Sequence, residues 1–264
     1  DFSYMGIGAC TLGYCDDDVD AAVLQAVKNG TMTTLMVPEE VELAELLLEQ
    51  HPWAEMVRYA KGGGDAMAVA VRIARAATKK DKVLFCGYHG WHDWYLSANL
   101  ADDSALDGQL MAGLSPVGVA RELKGTSYPF WYNMIDQFKT LVAKHKDNLA
   151  GVVLEAARGM TPEADFFKTI EEDIPLIIDE VTSGFRVYCG GACEYFDIHP
   201  DIAVFAKGMA NGYPIAAIIG KKQYMEAAQD SFISSTFWTE RIGFAAAIAT
   251  IKKYKVLNVN EHMN

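Results

Sequence analysis

Short, wholly apolar runs alternate with amphipathic stretches along this chain. Val83-Leu84-Phe85-Cys86, Val152-Val153-Leu154, Leu176-Ile177-Ile178, Ala203-Val204-Phe205 and the run from Ile215 to Ile219 carry no charged residue. Strands covered by helices on both faces have this pattern, so the runs predict a mostly parallel sheet. Helical periodicity falls between and around them. Pro38 opens one helix at a position where its missing N–H costs nothing. Leu43, Leu46, Leu47 and Gln50 share a face there, with Glu39, Glu40, Glu42 and Glu45 on the solvent side and in the first turn. A second helix is predicted over Asp65 to Thr78, rich in Ala, Val and Arg. A third runs from Arg241 to Lys255, with Ile242, Ala245, Ala246 and Ala249 on its apolar side. Strands interleaved with helices define an α/β protein. Residues 156–175 lie between two of the strands, enough for a parallel crossover with a short helix.

Composition narrows the class. The chain has 264 residues, 51% of them hydrophobic, which suffices for one large domain with flanking pieces. Its 23 basic residues against 35 acidic ones give a net charge of −12. That balance argues against a nucleic-acid partner, whose phosphates need neutralising. No apolar run approaches the roughly 20 residues of a bilayer span, and Asp1-Phe2-Ser3-Tyr4 has no signal-peptide character. The five cysteines, Cys10, Cys15, Cys86, Cys189 and Cys193, are too sparse for a disulfide framework and read as reduced thiols. The chain therefore reads as a soluble cytoplasmic protein with no membrane partner and no metal site.

In open parallel sheets, ligands bind beyond the carboxyl ends of the strands, and four such places carry distinctive residues. Gly62-Gly63-Gly64-Asp65 precedes the Ala-rich helix; taken alone it is a capping turn, and with an anion present it is a backbone cradle. After Cys86-Gly87 comes Tyr88-His89-Gly90-Trp91-His92-Asp93-Trp94. An aromatic between glycines suits stacking on a planar ring, whereas Trp91 and Trp94 read as a buried cluster. His89 and His92 lack a third ligand for a metal. Leu176-Ile177-Ile178-Asp179-Glu180-Val181 puts an acid at the end of a deeply apolar strand. Such an Asp either caps the next turn or needs a cationic partner such as a protonated heteroaromatic nitrogen. Ala203-Val204-Phe205-Ala206-Lys207-Gly208 ends in a lone lysine, 28 positions after Asp179. It is either a snorkelling surface residue or a desolvated amine fit for Schiff-base chemistry.

In this order, an anion cradle, a stacking aromatic, an acid and a lysine describe pyridoxal phosphate binding. The chain resembles the class III pyridoxal-phosphate-dependent aminotransferases of fold type I. Within them it is similar to the branch around glutamate-1-semialdehyde aminomutase and to aminotransferases acting on sugar-like substrates of the 8-amino-3,8-dideoxy-octulosonate type. Matching segments include Gly8 to Tyr14, Gly62 to Met67, Cys86 to Trp94, Ile178 to Gly184, Phe205 to Gly208, Asn211 to Pro214 and Ser234 to Arg241.

The resemblance implies roles residue by residue. Lys207 would carry the Schiff base and Asp179 would hold the pyridine nitrogen protonated, these two being the catalytic pair. Tyr88 and Val181 would cover the two ring faces. Gly63 and Gly64 would offer N–H groups to the phosphate. Glu155 would lie near the ring oxygen, and His89 would help shape the site. Thr236 would reach the phosphate of a neighbouring subunit, implying a homodimer with shared sites. The implied activity moves an amino group from an amino-acid donor, glutamate foremost, to a keto or aldehyde acceptor, including keto sugars. Intramolecular transfer by an aminomutase is the first alternative, and a non-catalytic binding or scaffold protein the second. The implied layout is an N-terminal remnant over 1–30, a large cofactor domain over 31–255 and the start of a small C-terminal domain over 256–264. The chain is accordingly expected to be a shortened form of a longer protein. It departs from the family pattern at Gly62, Asp65, Ala156, the Arg158-Gly159-Met160 segment and Phe244.

Overall fold

The computed structural model describes residues 5–157, 159–163, 166–170 and 173–263, so Arg158 lies outside the described residues. Among the described residues, seven strands form one sheet: β1 (Met56–Ala60), β2 (Lys82–Cys86), β3 (Ser127–Pro129), β4 (Leu149–Glu155), β5 (Leu176–Asp179), β6 (Ile202–Phe205) and β7 (Ala216–Gly220). Their spatial order is β1-β7-β6-β5-β4-β2-β3. The pairs from β3 to β6 are parallel, while β7 runs antiparallel to both β6 and β1. The ends of β1, β2, β5 and β6 thus emerge along one edge, where β7 begins.

Five helices of eleven residues or more pack on the sheet: α1 (Asp17–Asn29), α2 (Pro38–Gln50), α3 (Gly63–Thr78), α4 (Ile135–His145) and α5 (Arg241–Leu257). Alternate strand residues sort to opposite faces, as the pleat requires. Phe85, Val153, Ile177, Val204 and Ile218 pack with α3 residues such as Val71 and Ile73. Ala203, Phe205, Ala217 and Ile219 pack on the other face with Val19, Leu43, Leu47, Phe244 and Ile251 of α1, α2 and α5. Leu84, Val152, Leu154 and Ile178 share that second face with Phe138 and Val142 of α4. Every residue of β4, β5, β6 and β7 is buried, which explains their apolar character up to the acids Glu155 and Asp179 that end β4 and β5.

The five predicted strands and three predicted helices are all present. The helix expected from Asp65 begins two residues earlier, at Gly63. Four elements carry weaker signals. The strand β1 is half-buried and interrupted by Arg58, and β3 is three residues long and ends in Pro129. Both lie at the sheet's edges, where a charge or a proline is tolerated. The helices α1 and α4 begin in acidic and polar sequence. Phe244, one of the departures noted above, is fully buried in α5 with its ring edge-on to Tyr59, centroids 4.8 Å apart. No described helix is long and apolar enough to cross a membrane.

Candidate active site

The strand ends converge on a cavity of about 340 Å³. Gly63, Gly64, Tyr88, His89, Asp179, Val181 and Lys207 all line it. Lys207 follows β6 after one residue and adopts a left-handed backbone conformation, φ 46°. Such a φ is uncommon outside glycine and is sustained only where the surroundings impose it. Its Nζ donates to Thr182 Oγ1 at 3.1 Å. Asp179 is the last residue of β5 and is buried. Its Oδ1 accepts the Val181 N–H at 2.9 Å, and its Oδ2 lies 2.8 Å from His89 Nδ1.

The glycines permit close backbone approach. A Cβ on Gly63 would stand 2.8 Å from Val181 Cγ1. Gly90, at φ 99°, crosses Gly64 so tightly that a Cβ on Gly90 would lie 2.9 Å from Gly64 Cα. The N-terminus of the 16-residue helix α3 opens at this crossing, and its free N–H groups carry partial positive charge. The chemistry of the donor set suits an anion there, a planar ring between Tyr88 and Val181, and a reactive carbonyl near Lys207. Pyridoxal phosphate has these three parts, and the residues present fit it.

Two of the expected residues do not line this cavity, and for Thr236, expected at a neighbouring subunit's phosphate, that is no departure. Glu155 pairs in register with Asp179 across β4 and β5, but lines a separate cavity of about 90 Å³ with Cys86, Gly87, Gln109, Trp131, Tyr132 and other residues. A Cβ on Gly87 would lie 2.7 Å from Glu155 Oε2. Burial and then the Glu155 charge push the Cys86 thiol up to about 12. Thr236 is exposed in a short 3-10 turn, Thr236–Thr239, and does not line the cavity. The aromatic cluster divides. Trp94 is buried as expected, stacked on His89. Trp91 is instead 67% exposed at the cavity wall. The turn at Gly90 swings it outward, where it stacks on His92 at 4.5 Å. His89 and His92 diverge, since His92 Nε2 meets Asp65 Oδ1 at 2.8 Å.

Thr182 and Lys61 carry no functional signal of their own in the sequence. Thr182 sits three residues after Asp179, and only the fold brings it to Lys207. Lys61 lines the cavity and pairs with Glu240, whose carboxylate also caps α5 by accepting from the Ile242 and Gly243 N–H groups. Burial pushes the Lys61 ammonium down, and the Glu240 charge opposes that shift.

The sheet order, the glycine crossing and the lysine-acid pair define an α/β protein built to hold pyridoxal phosphate. An aminotransferase class-III family model matches residues 1–264, and the chain belongs to that family. It is 36% identical over 258 residues to a 3-aminobutyryl-CoA aminotransferase of Cloacimonas acidaminovorans, covering 93% of this chain and 58% of the relative. It is 37% identical over 261 residues to a glutamate-1-semialdehyde 2,1-aminomutase of Nitrosopumilus maritimus, covering 94% and 60%. Among solved structures, an omega-transaminase from Sphaerobacter thermophilus superposes with a TM-score of 0.83 at 25% identity, over 94% of this chain and 60% of that one. A transaminase with pyridoxal phosphate bound gives a TM-score of 0.82 at 24% identity, over the same shares. The fold is thus that of the fold type I enzymes. The chain spans about three fifths of the length of these relatives.

Proposed function

We propose that this chain is the cofactor-holding part of an enzyme that moves an amino group from an amino acid, glutamate foremost, to a keto or aldehyde acceptor such as a keto sugar. The observation that carries the reading is the meeting of Lys207 and Asp179 in one cavity beneath the glycine crossing at α3. Pyridoxal phosphate, when bound, supplies an aldehyde that condenses with amines and a ring that stores an electron pair. Gly63 and Gly64, at the positive end of α3, hold the phosphate through backbone N–H groups. Tyr88 and Val181 exclude water from the ring faces. The Asp179 carboxylate would hold a proton at the ring nitrogen, which is how it would favour electron storage in the ring. Lys207 Nζ is the covalent anchor. It would also be placed to move a proton at the amine-bearing carbon as a general base. The Thr182 hydroxyl accepts a hydrogen bond from that nitrogen and fixes its direction. Glu155 supports the loop at Gly87 from behind.

Thr236, exposed on its turn, would serve the phosphate of a second copy, making the working enzyme a homodimer with shared sites. A second reading, internal amino transfer by an aminomutase, is favoured by the aminomutase among the similar relatives.

The test is the absorbance of the purified chain with pyridoxal phosphate. A visible band that borohydride removes and Lys207→Ala abolishes is expected, with any transfer activity falling by about 10³-fold or more. A band of equal strength in Lys207→Ala would overturn the reading. Amino exchange with external glutamate separates transaminase from aminomutase.

A further inference from the structure

His89 and Asp179 form a buried pair, their side chains 0% and 5% exposed. Both imidazole nitrogens face oxygens: Nδ1 lies 2.8 Å from Asp179 Oδ2, and Nε2 lies 3.0 Å from the Cys86 carbonyl oxygen. A carbonyl oxygen only accepts, and so does an ionised carboxylate. A neutral ring has one N–H and one lone pair. It would therefore turn a lone pair onto one of these oxygens at hydrogen-bond distance, away from solvent, where the mismatch is costly. The second oxygen of Asp179 accepts the Val181 N–H, so it too acts as an acceptor. The rings around His89 suit a cation. Trp94 stacks beside it at 6.1 Å and 24°, and Phe85 and Tyr95 lie at 6.3 Å and 5.9 Å. Other ionisable groups near the pair are Tyr95 beside the His89 ring, Cys86 next to Nε2, Glu155 across the β4–β5 register from Asp179, and Tyr88 and Lys207 on the cavity wall.

We infer that His89 is a doubly protonated positioning residue: an imidazolium that supplies the counter-charge of Asp179 before any cofactor arrives and fixes the carboxylate's orientation. The buried acid is then compensated in the cofactor-free chain, and Asp179 would meet a cofactor ring nitrogen as a carboxylate already paired with one cation. This last consequence rests on the function proposed above; the proton count does not.

Two measurements on the 264-residue chain test the inference. The first is the ¹⁵N spectrum of histidine-labelled, cofactor-free protein at neutral pH, with the His89 signals assigned by their loss in His89→Leu. Both His89 nitrogens are expected to carry a proton; one protonated and one bare nitrogen would overturn the proposal. The second is a melting comparison. His89→Leu leaves the carboxylate buried without its partner and is expected to lower the melting temperature of the cofactor-free chain by about 10 °C. Adding Asp179→Asn to that variant removes the stranded charge and should restore at least half of the loss. A double variant no more stable than His89→Leu would show that only packing was lost and would sink the inference. Pyridoxal phosphate should also raise the melting temperature of His89→Leu by more than it raises that of the wild type, because the ring nitrogen replaces the missing cation. An equal rise would count against the inference. If the wild type forms no visible band with the cofactor, the proposed function fails while the first two results still decide the proton count.

Discussion

Asp179 ends the strand β5 and Glu180 follows it, and the fold gives these adjacent acids opposite duties. Asp179 faces the cavity. Glu180 is fully buried and accepts hydrogen bonds from the Ser183 hydroxyl, from Ala192 N at 3.0 Å and from Cys193 N at 2.7 Å. It anchors the short helix Ala192–Phe196 to the strand end. Burial pushes its carboxyl above the ordinary range, and the hydrogen bonds pull the other way. The native state therefore holds a proton that the unfolded chain releases, between the ordinary glutamate value and the raised native one. Stability from this group is full below that interval and declines as pH rises through it. Glu180→Gln should flatten this slope. It should also cost about 2–3 kcal/mol, because either amide orientation points an NH₂ at a backbone N–H. Urea melts of both proteins between pH 4 and pH 8 check this; equal stability at every pH would contradict it.

Among the elements, α1 and α5 are joined by a charged cap. Asp16 caps α1 by accepting from the Asp18 and Val19 N–H groups, both at 3.2 Å, and pairs with Lys253 of α5 at 2.7 Å. Burial alone would raise its carboxyl, but the Lys253 ammonium and the two N–H groups outweigh burial and hold it below the ordinary aspartate range. With a lowered native value, its contribution is present above the ordinary aspartate value and is lost as pH falls through the lowered one. Asp16→Ala should cost about 1 kcal/mol at neutral pH, with the deficit shrinking toward pH 2. A deficit that persists in acid would point to packing instead. This cap is written in the sequence as an acidic run before an amphipathic stretch, yet α1 announces itself less clearly than the core strands. Strands buried on both sides are legible because no polar residue interrupts them before their ends, and α2, α3 and α5 because their apolar residues keep helical spacing among the polar ones. Elements that are half-exposed, such as β1 with Arg58, dilute the same signal. The site divides likewise. Lys207, Asp179 and the glycines are marked by strand ends, whereas Thr182 and the Lys61–Glu240 pair come together only through folding, with 179 positions separating the latter two.

At the scale of the whole molecule, the segment around Thr236 leaves large side chains in solvent. Thr236 is exposed, and Phe232 and Phe237 beside it are 89% and 64% exposed. Large aromatics left in water around a polar residue mark an interaction surface. The segment is nonetheless held in place: Arg72 donates to the Phe232 carbonyl at 3.0 Å, and Glu240, which caps α5 behind it, is clamped by Lys61 from the cavity wall. The exposed turn of one copy is therefore tied, through Lys61, to that copy's own cavity. If a second copy receives Thr236, assembly and cofactor retention must be linked, since each subunit completes the other's phosphate site. Phe237→Asp should shift the chain from dimer to monomer in sedimentation at micromolar concentration and weaken pyridoxal phosphate binding by about tenfold or more. Thr236→Ala should weaken cofactor binding to a lesser degree while the dimer persists. A wild-type chain that sediments as a monomer yet binds the cofactor as tightly as it does at high concentration would refute the shared site, because a site completed by a partner cannot be independent of protein concentration.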